Sequence, residues 1–248
     1  MKVCVAVIAL GDSYLQMYKR LFKNSHESYA KRCGYDYKLI TDFISKERHP
    51  DLITLNKILV CSCDWSKEYD MIIYIDADIL ISKSAPPIDK FYDFKDKIGV
   101  VSQGNQPKGV ESRHSVQRYK GWEVRAKDYY MLHCGEKVET DIIINTGLLV
   151  LQPKKHRLFL DSIFSKYKKK RLGHRSANHY EQAVVGFEIM KKDLALYIDM
   201  KWNAIWPLGK CYYNDILKES LSLQDYCDSN YFVHLCGQLD WHLVPKIK

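Results

Sequence analysis

The chain has 248 residues, 46% hydrophobic and 27% charged, ample for a real core in one domain or in one domain with a small appendage. No apolar stretch approaches the roughly 18 residues that a membrane-spanning helix needs. The formal charge of +8 suits an anionic ligand or surface, but it does not choose among phosphates, nucleic acid and membrane, and ordinary Lys-rich solubility explains it equally well.

The opening "MKVCVAVIALGDSYL" mimics a short signal peptide, but its apolar run is only eight residues long and lacks a good cleavage site, so a first core strand over 2–10 is the better reading. Gly11-Asp12-Ser13 offers a turn and a helix cap. Tyr14, Leu15, Tyr18, Leu21, Phe22, Ser25 and Tyr29 recur at helical spacing, and Gly34 closes that helix. "YDYKLIT" (35–41) predicts a second strand, "LITLNKILVCSC" (52–63) a helix, and 70–76 a third strand. Continuous apolar strands with helical crossovers mean a mostly parallel sheet flanked by helices, an α/β fold.

"KIGVVSQ" (97–103) is a fourth strand. Residues 104–140 then turn basic, aromatic and Gly-containing, and the pattern is lost. Strand character returns in "TDIIINTGLLVLQP" (140–153), followed by helices at about 154–168 and 178–192 and a strand "LALYID" (194–199). The tail, 200–248, is rich in Trp, Tyr and His with little periodicity. With no repeat, low-complexity segment or linker, 1–248 reads as a single domain with an irregular insert and an irregular C-terminal cap. Eight cysteines are present, none in a CxxC pair and none at zinc spacing with His; they read as reduced, mostly buried thiols of a cytosolic protein.

The informative stretch is "YDMIIYIDADILISKSAPP" (69–87), in which an apolar strand carries Asp76 and Asp78. A carboxylate in a core is costly unless its charge is compensated. In a doubly wound sheet, ligands collect beyond the carboxyl ends of the strands. Residues i and i+2 of an extended chain point to one side, so both carboxylates can converge on one ion. Hard oxygen ligands beside phosphates favour Mg²⁺ or Mn²⁺. The other reading ends the strand at Asp76 and leaves both carboxylates in a solvated turn.

"YIDADILI" resembles the DxD signature of nucleotide-sugar-dependent glycosyltransferases with the GT-A fold. The whole chain is similar to the retaining family 8 enzymes (glycogenin-like and bacterial galactosyltransferase-like), with the xyloglucan xylosyltransferase-like family 34 close behind. The resemblance implies a metal at Asp76, Asp78 and His234, the last within "FVHLCGQLDWH", which is similar to the family's HxxGxxKPW pattern. It places Gly237 near the diphosphate. Asp240 stands where the pattern has its phosphate-binding Lys, and Lys246 or Lys248 is the candidate substitute. It implies a donor contact for Lys57 on the helix before the DxD strand. "IINTGLLVLQP" resembles the strand whose Asn faces the donor sugar, which points to Asn145, Thr146 and Gly147. "NHYEQAVV" resembles the segment beside that sugar, with Glu181 for the usual Asp and then Gln182. Ala9, Leu10 and Asp12 fall near the base and ribose, with Tyr14 placed to stack on the base and Ala77 between the two aspartates. Residues 1–103 become the donor-binding part; 104–248 become the acceptor side and cap.

Plainer readings stand beside these. Asn178 and Glu181 form an N-x-x-E capping box. Lys57 is explained by a solvated helix, Asp12 by a helix cap, and His234 by a satisfied core histidine. Trp202, Trp206 and Trp241 make either an acceptor-sugar platform or a plug on the sheet; "KWN" (201–203) resembles an acceptor-side segment. "KYKKKR" (166–171) is either a solvated helix end or a contact with an anionic membrane or glycolipid surface. Arg113, Arg118, Trp122 and Arg125 are candidates for a lid.

The function implied is metal-dependent transfer of a sugar from a nucleoside diphosphate sugar, UDP ahead of GDP, to a hydroxyl of a glycan, glycolipid or glycoprotein, with retention. With no anchor visible, a cytoplasmic bacterial or viral enzyme fits. A sugar nucleotidyltransferase is the first rival, but "ALGDSYLQMYKR" lacks a Gly- and basic-rich phosphate loop. A non-catalytic carbohydrate- or nucleotide-binding protein is the second. No nucleic-acid recognition motif is present.

Overall fold

The computed structural model describes residues 1–106, 126–171, 180–237 and 240–247. Its centre is a six-stranded sheet. β1 (Val3–Ile8) lies between β2 (Asp36–Ile40) and β3 (Met71–Asp76), parallel to both. β6 (Ile144–Leu151) follows β3 in space and runs antiparallel to it and to β5 (Ile98–Ser102). β7 (Ala195–Tyr197) closes the edge, parallel to β5.

Alternate residues of each strand enter opposite cores, as the pleat requires. Val3, Val5, Val7, Ile73, Ile75, Leu148 and Val150 face one apolar cluster. Cys4, Ala6, Ile72, Tyr74, Leu149 and Leu151 face the other. Strands apolar on both faces carry no amphipathic alternation, and so β1, β3 and β6 read as continuous apolar runs.

The first core is covered by α1 (Asp12–Leu21) and α2 (Lys23–Cys33), through Tyr18, Phe22 and Tyr29. The expected single helix is therefore two, meeting at Phe22. Gly34 ends the second in the left-handed region (φ 70°), returning its N–H to Ala30 and Lys31. Asp12 is not a cap: Gly11 holds the N-cap position and no side chain accepts there.

The second core is covered by α3 (Ala126–Cys134), α4 (Pro153–Arg171), α5 (Tyr180–Lys191) and the segment Thr54–Ser62. That segment was expected as a helix over 52–63 and is one over Thr54–Ser62, of the tighter 3₁₀ kind. Its Asn56 side chain accepts from Ile44 and Ser45 N–H and donates to Leu52 O, tying it to the loop before it.

The tail is more ordered than its sequence suggests. β8 (Ala204–Ile205) and β9 (Phe232–His234) join β4 (Ile79–Ile81) in a second sheet of order β4-β9-β8. Strands of two or three residues are too short to show a period. Trp202, Trp206 and Trp241 are all buried in the first core, so they are the plug rather than a platform. All eight cysteines are free, and Cys4, Cys61, Cys134 and Cys227 are buried. Among the described residues, no helix is long and apolar enough to cross a membrane.

Candidate metal centre

β3 ends at Asp76, next to Ile8 at the end of β1. The chain was expected to stay extended through Asp78. Instead Ala77 and Asp78 form the turn into β4. β4 pairs antiparallel with β9, Ile79 opposite His234, and Leu235 N–H donates to Asp78 O. This pairing, rather than an i, i+2 alternation, sets the third ligand against the two carboxylates. His234 Nε2 lies 3.3 Å from Asp78 Oδ1 and 4.0 Å from Asp76 Oδ2. One ligand atom from each of the three lies within 4.8 Å of the others. Two carboxylate oxygens and one imidazole nitrogen form a donor set able to hold a divalent metal ion.

Electrostatics hold the cluster together. Burial pushes Asp78 up, but the adjacent His234 outweighs it and leaves the carboxyl below the usual range. Burial alone would lower His234; Cys236 and then Asp78 outweigh it and hold the imidazole well above its ordinary value.

Lys57 is not a solvated lysine. Its side chain is 5% exposed, and Nζ lies 2.9 Å from Asp76 Oδ1 and 2.9 Å from Glu181 Oε1, with Thr146 O at 3.5 Å. Burial lowers its pKa, but Asp76 and then Glu181 override that and keep it above the lysine range. Its ammonium thus answers how β3 carries a carboxylate at the edge of a core. Thr146 Oγ1 donates to Glu181 at 2.8 Å, and Tyr74 OH donates to Asp76 at 2.8 Å.

A second network runs behind His234. Asn145 Oδ1 accepts from Gly147 N–H (2.9 Å) and Asn203 Nδ2 (2.7 Å), and Asn145 Nδ2 donates to Gln182 Oε1 (3.0 Å). Asn203 Oδ1 meets His234 Nδ1 at 3.0 Å. Gln182 Nε2 donates onward to Tyr129 OH.

The structure therefore brings Lys57, Asp76, Asp78, Asn145, Thr146, Gly147, Glu181, Gln182 and His234 together. Tyr14 joins them: it packs on Trp241 at 5.9 Å between ring centroids, and burial, Asp78 and Asp76 all raise its hydroxyl pKa. Ala77 is buried in the turn. Ala9 and Leu10 lie at the end of β1; Ala9 is fully buried with its N–H on Ile40 O, and Asp12 is exposed. Gly237, three residues past His234, has φ 92°. Asp240 is held by Lys210 Nζ (2.9 Å) and Trp206 Nε1 (2.8 Å), and Lys246 is exposed. Lys166 and Lys168 of the basic run pair with Glu188 and Glu47. Asn178, Arg113, Arg118, Trp122, Arg125 and Lys248 lie outside the described residues.

Three contributors were missed. Tyr74 looked like core, Tyr129 fell in the segment without pattern, and Asn203 was read with the acceptor side. Asn203 is fully buried and faces His234. A lone Asn between Trp202 and an apolar pair was the available signal, since a buried amide needs partners.

An Asp-Asp-His cluster thus stands at the strand ends of a mostly parallel α/β sheet. The chain matches no family model and no curated protein. Among solved structures it is similar over 98% of its length to a glycosyltransferase involved in glycosylation of the major capsid of PBCV-1, covering 98% of that chain (TM-score 0.60, 15% identity). It is similar over 99% of its length to the galactosyltransferase LgtC in complex with donor and acceptor sugar analogs, covering 96% of it (TM-score 0.53, 16% identity). The bifunctional glycosyltransferase WbbM aligns over 99% of this chain and 49% of its own (TM-score 0.61, 12% identity). The fold is thus that of GT-A glycosyltransferases, a central mostly parallel sheet flanked by helices.

Proposed function

We propose that the chain is a metal-dependent glycosyltransferase. It moves a sugar from a nucleoside diphosphate donor, UDP ahead of GDP, to an acceptor hydroxyl on a glycan, with retention. The observation that carries this reading is the convergence of Asp76, Asp78 and His234 within 4.8 Å, beyond the carboxyl ends of β1 and β3, on the fold shared with glycosyltransferases. Those three residues would hold Mn²⁺ or Mg²⁺. A bound divalent ion supplies Lewis acidity and neutralises charge on a leaving diphosphate.

The chain's own residues do the rest. Lys57 pairs with both Asp76 and the buried Glu181, so each carboxylate has a cation within 2.9 Å. Glu181 and Gln182 face the sugar. Gln182 is oriented by Asn145, whose carboxamide already makes three hydrogen bonds and acts on the sugar through its neighbour. Thr146 and Gly147 form the floor. Ala9, Leu10, Asp12 and Tyr14 surround the nucleoside, and Gly237 lets the backbone approach the diphosphate. The acceptor hydroxyl attacks from the face that the diphosphate leaves, and its proton passes to the leaving phosphate.

The test is thermal melting with a panel of nucleotides and nucleotide sugars, with and without Mn²⁺. A metal-dependent rise for one nucleoside diphosphate series supports the reading and names the base. Product analysis with that donor then reads the sugar and the anomeric outcome. A cooperative melt that no nucleotide moves would remove it.

A further inference from the structure

Hydrogen-bond direction can be followed here from a group that has no choice. The backbone N–H of Gly147 can only donate, and its partner is the Asn145 side-chain atom 2.9 Å away, so that atom is the carbonyl oxygen. The Asn203 atom 2.7 Å from the same oxygen must then be its amide nitrogen. The remaining Asn203 atom is an oxygen, which only accepts, and it lies 3.0 Å from His234 Nδ1. Nδ1 therefore carries a hydrogen, and Nε2 is the nitrogen turned toward Asp78 and Asp76.

We propose that Asn203 is a positioning residue that fixes which imidazole nitrogen His234 presents to the two aspartates. This rests on the metal-site reading above. Asn203 is fully buried, so the flipped amide would face oxygen with oxygen and nitrogen with nitrogen, with no water to relieve either contact. Its backbone is pinned as well: Asn203 O accepts from Gln106 Nε2 at 3.0 Å, and β8 begins at the next residue. A ligating imidazole whose other N–H is held by a fixed acceptor is locked in tautomer and ring orientation. The same polarity runs the other way through Asn145 Nδ2 to Gln182 Oε1, so one backbone N–H orients both a metal ligand and a sugar-facing amide.

The first test uses the wild-type protein with saturating Mg²⁺ and ¹⁵N-labelled histidine. His234 is picked out among the nine histidines by the signal missing from His234→Gln. The expected spectrum has a protonated Nδ1 and an unprotonated Nε2; a protonated Nε2, with or without a hydrogen on Nδ1, overturns the proposal. The second test measures Mn²⁺ affinity from the paramagnetic resonance signal of unbound Mn²⁺. Asn203→Leu, which removes the acceptor, is expected to weaken Mn²⁺ by about 10–100-fold. Asn203→Asp keeps an acceptor for Nδ1–H and, with its other oxygen protonated, a donor to Asn145 Oδ1, so it is expected to stay within about threefold of wild type. A folded Asn203→Leu protein that binds Mn²⁺ like wild type, or a folded Asn203→Asp protein that loses it, overturns the role. Wild-type protein that binds no Mn²⁺ instead removes the metal-site reading, and this proposal with it.

Discussion

A methyl group on Gly147 would lie 2.3 Å from Cε1 and 2.5 Å from Nδ1 of His234. The strand β6 and the imidazole therefore share a space that only glycine leaves open. The sequence reading assigned this glycine to close approach by a donor sugar; in the folded chain the close neighbour is the histidine.

Gly147→Ala should push His234 away from Asp78. We expect a loss of about 1–3 kcal/mol of stability in urea melts, as for overpacked interiors. The Mn²⁺-dependent rise in melting temperature should disappear with it. An alanine variant with an intact metal response would show that His234 does not need its present position.

Asp78→Ala should separate metal binding from folding. Asp78 sits in a turn at the sheet's end, so a cooperative melt should survive, while metal-dependent transfer should fall by roughly 10³-fold, the worth of several kcal/mol of charge stabilisation. Assay of sugar transfer at saturating Mn²⁺ reads the effect. Wild-type turnover in this variant is incompatible with the metal centre.

Lys57→Met should be the most destabilising single change at the site. It leaves Glu181, 6% exposed, and Asp76 without their shared cation. Breaking a buried pair in this way costs about 3–5 kcal/mol. Adding Glu181→Gln removes one of the two carboxylates that lost Lys57 and should restore part of the loss, because the two positions touch and their effects do not add. Equilibrium unfolding of the two single variants and the double variant measures this coupling.

Stability should fall on mild acidification because of His26. This residue is fully buried; its Nε2 donates to Ile79 O at 2.6 Å, and its Nδ1 accepts from Tyr18 OH at 3.0 Å, with Tyr37 OH bonded to Tyr18. Burial lowers its pKa to about 4, against small opposing effects of Ile79 O and Asp78. The native state thus holds a neutral imidazole where the unfolded chain, near pH 6.5, would protonate. The contribution is complete above about pH 6.5 and is lost as pH falls toward 4, by roughly 3 kcal/mol in all. Urea melts from pH 7 to 4.5 should show a steeper loss in wild type than in His26→Phe. Parallel curves would show that His26 is not the group responsible.

The DxD motif was legible because it is local: two carboxylates interrupt an apolar run, and that cost is visible in a few residues. The paired roles of Asp76 and Lys57 were not. A lysine on a predicted helix reads as solvated unless the packing that buries it is known, and here β3 and α5 do the burying. Asn203 and Tyr74 were missed for the same reason. Each is one polar atom whose value depends on what faces it.

By itself the sequence determined the alternation of strands and helices, the continuous apolar β1, β3 and β6, and the position of the two aspartates at a strand end. These follow from periodicity and from the cost of buried charge, which act over a few residues. Tertiary structure alone decided that His234 stands opposite Ile79, that Lys57 joins Asp76 to Glu181, and that Asn203 holds the imidazole. Those contacts join segments far apart in the chain, some through strands of two or three residues, and their register is set by packing that no local pattern records.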